Sequence, residues 1–149
     1  MTGADDDDKQ EAFRQAERFG HVRDAHQREL AEDYVELIAD LIEQRGEARV
    51  VDLADCLGVT NATVNNAIQR LRRDGLVTSK PYRSIFLTGQ GRELAGTSRE
   101  RHRVVREFLI ALGVDAETAE TDAEGIEHHV SNATLATFRS YLKGHRRDR

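Results

Sequence analysis

The stretch that decides the fold is residues 50–77, "VVDLADCLGVTNATVNNAIQRLRRDGLV". Its apolar spacing predicts a short helix that ends at Gly58, a tight turn, and a second helix. The second helix should begin at a cap formed by Thr60 or Asn61 and end near Arg73. Two helices joined by so short a turn are typical of a helix-turn-helix, whose second helix enters the major groove of DNA.

Small and apolar residues fall where such a motif needs them. Ala54 lets the two helices approach, Gly58 permits the turn, and Val64 packs into the angle between the helices. Val64, Ile68 and Leu71 recur at helical spacing and predict the buried side of the second helix. The outward side then carries groups that can contact phosphates or base edges: Asn61, Thr63, Asn65, Asn66, Gln69, Arg70 and Arg73.

A hairpin is predicted directly after the two helices. Residues 76–88, "LVTSKPYRSIFLT", read as two short strands around a turn that contains Pro81. Lys80 and Arg83 flank that turn, where they could contact the DNA backbone or the minor groove. A helix-turn-helix followed by a two-stranded hairpin is a winged helix.

Longer helices are predicted on both sides of the winged helix. Residues 89–113, 116–130 and 132–144 are helical in pattern, and the apolar stripe of the first begins only at Val104, so its first half is expected to be a linker. The fold class is therefore mainly α: an N-terminal winged helix-turn-helix with a small two-stranded β wing, followed by an all-helical domain. Upstream, residues 29–46 carry an apolar stripe made of Leu30, Tyr34, Leu37, Ile38, Leu41 and Ile42.

Charge is strongly segregated along the chain. Residues 1–59 carry 16 acids against 7 bases, residues 60–106 carry 3 against 10, and residues 107–149 carry 8 against 5. The basic middle coincides with the winged helix, which favours double-stranded DNA as its partner over a purely protein-binding role. A single motif reads one half-site, so a homodimer is expected, with the apolar C-terminal helices as its surface.

Several classes of protein are disfavoured by composition. No apolar run approaches the roughly 20 residues that span a bilayer, and the acidic N-terminus lacks the apolar region of a signal peptide. Cys56 has no partner for an internal disulfide and is expected to be a small buried residue. We therefore expect a cytoplasmic protein with no membrane partner. The aspartate run in "MTGADDDDKQ" predicts disorder at the N-terminus.

A second motif, "DAEGIEHH" at residues 122–129, indicates a cation site. In a helix, Glu124, Glu127 and His128 stand at i, i+3 and i+4 and share one face. Two anions and an imidazole compete on that face unless a cation lies between them. Asp33 and Glu36 form a similar pair on the first long helix. Each element alone is more often solvated, so the argument rests on their combination.

The sequence resembles the manganese transport regulators, within the diphtheria toxin repressor class of metal-activated repressors. The similarity runs from about Asp33 to Lys143 and includes "DYVELIADLI", "GVTNATVNNAIQRL", "YRSIFLTGQG", "ERHRVVREFL", "LGVD" and "DAEGIEHH". It implies a dimer that represses manganese uptake genes by binding palindromic operators when its metal site is filled. Position by position, the metal ligands of the family fall on Asp33, Glu36, His102, Glu124, Glu127 and His128.

The resemblance further implies two Mn²⁺ ions per subunit. One ion would take Asp33, Glu124, Glu127 and His128. The other would take Glu36, His102, Glu124 and Glu127. In iron-responsive relatives the positions of Asp33 and Glu124 are Met and Cys, so manganese is expected over iron. An iron- or other divalent-metal-responsive regulator of the same class is the alternative. His129 is interpreted as an outer neighbour or a surface residue, and the solvated histidines are expected to be His21, His26 and His145.

The predicted division is an acidic, partly disordered extension over 1–28, the winged helix over 29–91, a helical dimerisation and metal-binding domain over 92–143, and a polar tail over 144–149. An enzyme is not expected. A dinuclear carboxylate enzyme is the remote alternative, but no Glu-x-x-His pair or His-Glu-x-x-His motif occurs. A regulator that senses an organic molecule is the other rival, and no small organic ligand is expected.

Overall fold

The protein, described over residues 3–80 and 83–147 by a computed structural model, consists there of six helices and one two-stranded antiparallel sheet. The mainly helical fold class is confirmed, with a helix-turn-helix, a small wing and a following set of helices. Each helix in residues 3–80 and 83–147 is too short or too polar to span a bilayer. The elements are α1 (Gly3–Arg45), α2 (Val50–Leu57), α3 (Asn61–Arg73), β1 (Val77–Thr78), β2 (Phe86–Leu87), α4 (Gly89–Leu112), α5 (Ala116–His129) and α6 (Asn132–Arg147).

The helix-turn-helix forms as its sequence predicts. α2 ends at Gly58, which adopts φ +66° in the left-handed region that glycine tolerates best. Thr60, rather than Asn61, caps α3, because its hydroxyl oxygen accepts from the backbone N–H of Thr63 at 3.1 Å. The buried side of α3 is the predicted set Val64, Ile68 and Leu71.

The wing is short and tied to the rest of the domain. β1 pairs with β2 in antiparallel register, with Val77 opposite Leu87. Ile85, directly before β2, forms an antiparallel bridge with Ala48 in the loop after α1. Pro81, in the predicted turn, lies outside the described residues.

The first core joins the winged helix to α1 and to the start of α4. Leu94 and Ala95 of α4 pack into this core with buried residues of α1, α2, α3 and the wing. Gly91 allows the approach, because an added Cβ would lie 2.1 Å from the backbone oxygen of Leu76. The first half of α4 is therefore packed structure, and its prediction as a linker was wrong.

A second core lies in the helical domain. Val104 and Val105 of α4 are fully buried and pack with Ala123 of α5 and Leu135 of α6. α4 thus contributes its first half to one core and its second half to the other. Because one continuous helix serves both cores, it connects the DNA-reading part of the chain to the helical domain.

Three local predictions were wrong. Helix α1 already begins at Gly3, where disorder was predicted, because Asp5 lies in the first turn near the positive end of the helix dipole and pairs with Lys9 at 2.9 Å. Leu30 is 55% exposed, since this part of α1 extends beyond the first core. Cys56 is exposed, on the outer side of α2, rather than buried.

Candidate metal centre and DNA-binding face

The predicted metal ligands come from three helices that meet at the C-terminal half of α5. Asp33 and Glu36 are on α1, His102 is near the middle of α4, and the remaining three are on α5. Glu127 and His128 are 1% and 3% exposed, so the centre of the cluster is buried. Ala119 and Ala123 of α5 are also buried, and Glu127 follows Ala123 at i+4 spacing, with His128 next to it. The helical period therefore places Glu127 and His128 on the inner side of α5.

Short distances connect five of the six ligands. The Nε2 atom of His128 lies 3.1 Å from Asp33 Oδ1 and 3.4 Å from Glu127 Oε1. The Nδ1 atom of His102 lies 3.5 Å from Glu127 Oε1 and 3.5 Å from Glu124 Oε1. Glu127 Oε1 therefore lies between the two imidazoles.

The sixth residue, Glu36, lies at the edge of the same cluster. Its Oε2 atom accepts from the Ser98 hydroxyl at 3.1 Å. Burial raises the pKa of Glu36; the Ser98 hydrogen bond opposes this rise, and the negative charge of Glu124 adds to it. The structure thus brings all six predicted residues together.

Four atoms at the centre of this cluster are buried without a hydrogen-bond partner. They are His102 Nδ1, both carboxylate oxygens of Glu127, and His128 Nε2. An unsatisfied buried polar group costs about 1–3 kcal/mol, more if it is charged. Imidazole nitrogens and carboxylate oxygens are also metal ligands. These residues therefore fit divalent metal ions, which would satisfy these four atoms.

The pKa values of Glu127 and His128 reflect burial and the charges around them. Burial raises the pKa of Glu127 to about 7. Burial would lower the pKa of His128, but the adjacent carboxylates of Asp33 and Glu32 and the charge of Glu127 outweigh it and raise that pKa to about 10. Without another cation, a proton on His128 supplies positive charge at this position.

Sequence reasoning missed two outer carboxylates that hold the imidazoles. Glu32 Oε2 lies 2.5 Å from His128 Nδ1, and Glu120 Oε1 lies 2.8 Å from His102 Nε2. Such partners on the second ring nitrogen orient an imidazole and leave the first nitrogen free for a ligand. Helical spacing could have indicated both, since each acid stands four residues before a predicted ligand on its own helix. Arg101 of α4 was also missed; its Nε donates to the backbone oxygen of Glu127 at 2.9 Å.

The predicted DNA-binding residues lie on the outer side of α3 and on the wing. All nine are exposed. Arg72 also lines the groove between α3 and the wing and donates to the backbone oxygen of Ser79 at 3.3 Å, which ties the two elements together. Five of the nine line this groove: Asn61, Asn65, Gln69, Lys80 and Arg83. The other four are Thr63, Asn66, Arg70 and Arg73.

Both halves of the chain match known protein families. Residues 28–85 match the family described as "Iron dependent repressor, N-terminal DNA binding domain". Residues 88–149 match "Iron dependent repressor, metal binding and dimerisation domain". A winged helix-turn-helix joined to such a domain defines a metal-dependent, DNA-binding transcriptional regulator, not an enzyme. The chain belongs to the iron-dependent repressor family, in the class that includes the MntR regulators, and its cofactor is a divalent metal ion.

The chain is similar to proteins of this class from several bacteria. It is 54% identical to the transcriptional regulator MntR of Escherichia coli O157:H7 over 129 residues, which cover 87% of this chain and 83% of that protein. It is 41% identical to the HTH-type transcriptional regulator MntR of Bacillus subtilis over 100 residues, covering 67% and 70%. Among solved structures, a manganese-dependent transcriptional repressor in complex with manganese matches with a TM-score of 0.68 and 30% identity. That match covers 76% of this chain but only about half, 52%, of the solved one.

Proposed function

We propose that this protein is a manganese(II)-activated repressor of manganese uptake genes, which binds palindromic operators as a dimer when a dinuclear Mn²⁺ site is filled. The observation that carries the proposal is the cluster of four buried, unpartnered ligand atoms at the meeting point of α1, α4 and α5. The names of the MntR relatives and the manganese-bound structural neighbour support the choice of metal.

The ligand chemistry favours manganese. Four carboxylates and two neutral imidazoles carry a charge of −4, which two divalent ions neutralise. A ligand set rich in oxygen suits a hard ion such as Mn²⁺, whereas iron sensors of this class are expected to use softer ligands at two of these positions. Affinity alone favours later ions of the first row, so selectivity must come from geometry or from metal supply.

The arrangement around Glu127 supports two ions rather than one. Its Oε1 atom lies 3.4 Å from His128 Nε2 and 3.5 Å from His102 Nδ1, and Asp33 lies next to His128. Each imidazole is held by its own outer carboxylate. Glu127 would therefore bridge the two positions, with Glu124 as the second bridging ligand.

The helices that supply the ligands suggest how metal controls DNA binding. Asp33 and Glu36 belong to α1, which packs in the core of the winged helix, whereas Glu127 and His128 belong to the helical domain. Divalent ions bound by the ligands of α1 and by those of the helical domain would hold the winged helix against that domain. They would thereby restrict the position of α3. A tenfold to hundredfold increase in DNA affinity needs only about 1.4–2.8 kcal/mol of coupling, and DNA must tighten metal binding by the same factor.

The helical domain supplies a surface for dimerisation. Ile110 and Leu112 at the end of α4 and Tyr141 on α6 are 37%, 56% and 43% exposed in the single chain. A second copy would cover such apolar groups. In the dimer the two copies of α3 would contact half-sites about one turn of DNA apart, roughly 34 Å, or a multiple of that spacing.

The test begins with an operator obtained by selection from a random DNA duplex library with the protein and Mn²⁺. Binding to that duplex is then followed by fluorescence anisotropy while Mn²⁺ is titrated. Glu124→Ala should abolish the metal-dependent increase in affinity and leave the helix content measured by circular dichroism nearly unchanged. Glu117→Ala, an exposed acid on the same helix, is the matched control and should respond to Mn²⁺ like the wild type.

The same titration, repeated without oxygen with Fe²⁺ and with other divalent ions, separates manganese from iron as the activating metal. A stronger response to Fe²⁺ would replace manganese by iron in the proposal. Tight binding by Glu124→Ala without any metal would contradict the proposed coupling between the metal centre and DNA.

A further inference from the structure

A second cluster of metal-ligating side chains lies beside the six-residue centre, where α1 passes the end of α5. Glu29 Oε2 is 3.2 Å from His129 Nε2 and 3.5 Å from His26 Nδ1. The two imidazole rings lie edge to face, 5.2 Å apart, with 77° between their planes. None of these three residues is among the six, and His26 lies before the first residue matched by the family, residue 28.

The spacing of these atoms fits a tetrahedral metal ion. One atom from each of the three side chains lies within 4.8 Å of the other two. Ligands at about 2.0–2.1 Å from a tetrahedral ion are about 3.4 Å apart. The two distances to Glu29 already match this value, so only the two imidazole nitrogens must approach each other. His26 is exposed over 64% of its side chain and is free to make that adjustment.

We propose that His26, Glu29 and His129 form a separate metal site for a cation that prefers imidazole, Zn²⁺ or one of its late first-row neighbours. Two imidazoles and one carboxylate are a more nitrogen-rich set than the six-residue centre, and they suit Zn²⁺, Co²⁺ or Ni²⁺ better than Mn²⁺. Three protein ligands leave the fourth position to water, and the exposure of His26 gives water access to it.

Occupation of this site would fasten α1 to α5. His26 and Glu29 stand at i and i+3 on α1, whereas His129 is the last residue of α5. Glu29, Asp33 and His128 also offer ligand atoms that lie within 4.8 Å of one another, so Glu29 borders the six-residue centre. An ion at the new site would hold Glu29 away from that centre, and the two sites would therefore influence each other's affinity.

The simpler explanation is that His26, Glu29 and His129 are joined only by hydrogen bonds and bind no metal. A measurement of zinc binding distinguishes this explanation from the proposed metal site. The full-length protein is dialysed against buffered free Zn²⁺, and the bound zinc per chain is measured by elemental analysis. His26→Ala and His129→Ala should each bind one zinc ion fewer than the wild type. Their zinc affinity at this site should fall by more than roughly 10–100-fold, the decrease that follows when a residue that only hydrogen-bonds to a metal ligand is lost. His21→Ala, an exposed histidine on the same helix, should bind zinc like the wild type.

The measurement is repeated in the Glu124→Ala background, in which the six-residue centre is weakened. There His26→Ala should still remove one further zinc ion, so the outcome does not depend on the proposed manganese response. Replacement of zinc by Co²⁺ adds a visible absorption spectrum, which should lose its nitrogen-ligand contribution in His26→Ala. Equal zinc stoichiometry and affinity in the wild type, His26→Ala and His129→Ala would overturn the proposal.

Discussion

Replacing Glu127 by glutamine should stabilise the metal-free protein above pH 7, although the change removes a central metal ligand. Glu127 is 1% exposed, and neither of its carboxylate oxygens has a hydrogen-bond partner. Burial raises its pKa from 4.5 to about 7, and the neighbouring positive charge of His128 opposes this rise without cancelling it. An ionised Glu127 is therefore a destabilising group until a cation joins it.

The sign and size of the effect follow from proton linkage. Between pH 4.5 and about 7 the folded metal-free protein binds more protons at Glu127 than the unfolded chain does, so stability is highest below 4.5 and falls as the pH rises through this window. The pKa rise corresponds to at most about 3 kcal/mol. A buried glutamine amide with incomplete hydrogen bonding costs about 1–3 kcal/mol. The net gain for Glu127→Gln above pH 7 is therefore at most about 2 kcal/mol, or up to about 6 °C in Tm.

Thermal unfolding in the presence of a chelator measures this gain at pH 8 and at pH 5. The variant should melt above the wild type at pH 8 and show no advantage at pH 5, where Glu127 is protonated. Asp122→Asn, on the exposed side of the same helix and outside its first turn, should match the wild type at both pH values. Added Mn²⁺ should reverse the order, because only the wild type keeps its full ligand set. A variant that melts below the wild type at pH 8 without metal would refute the argument.

Two further changes test the DNA-binding face and the packing of α4. Arg73→Ala should weaken operator binding and reduce the slope of log affinity against log salt by about one, with metal affinity unchanged; Arg18→Ala, far along α1, should leave the slope as it is. Gly91→Ala should destabilise the fold by about 1–3 kcal/mol or more in urea unfolding, because its Cβ would lie 2.1 Å from the backbone oxygen of Leu76. Gly96→Ala on the same helix meets open space and should be neutral or stabilising; equal effects of the two glycine changes would show that α4 does not pack as described.

The helix-turn-helix could be predicted from the sequence because its signals are local. Gly58 marks the turn, Thr60 caps α3, and apolar residues repeat along α3 at helical spacing. The N-terminal part of α1 could not be predicted from the same kind of evidence. A run of aspartates suggests a solvated, disordered segment, yet at the start of a helix the same residues interact favourably with the helix dipole. Burial was also misjudged for Cys56, since a residue type alone does not show which side of a short helix faces the core.

The candidate site was predictable only in part from local pattern. Helical spacing placed Glu124, Glu127 and His128 on one face, but no local rule brings His102 to them across separate helices. That pairing came from the resemblance to a family, and the structure places its Nδ1 3.5 Å from both glutamates. The outer carboxylates escaped prediction because acids at i, i+4 on a helix are ordinarily solvated. Only the packing of α1 and α4 against α5 turns them toward an imidazole.

The segregation of charge along the chain also has a structural reason. The two acidic segments, residues 1–59 and 107–149, contribute α1 and α5, and these helices carry five of the six predicted ligands. Acids from distant parts of the chain therefore converge around the buried Glu127 and His128, where without metal they would repel each other and favour separation of α1 from α5. The basic segment between them forms α3, the wing and most of α4. A bound cation that neutralises the acidic pair of helices would thus act on the position of the basic surface without touching DNA, because α4 packs in both cores.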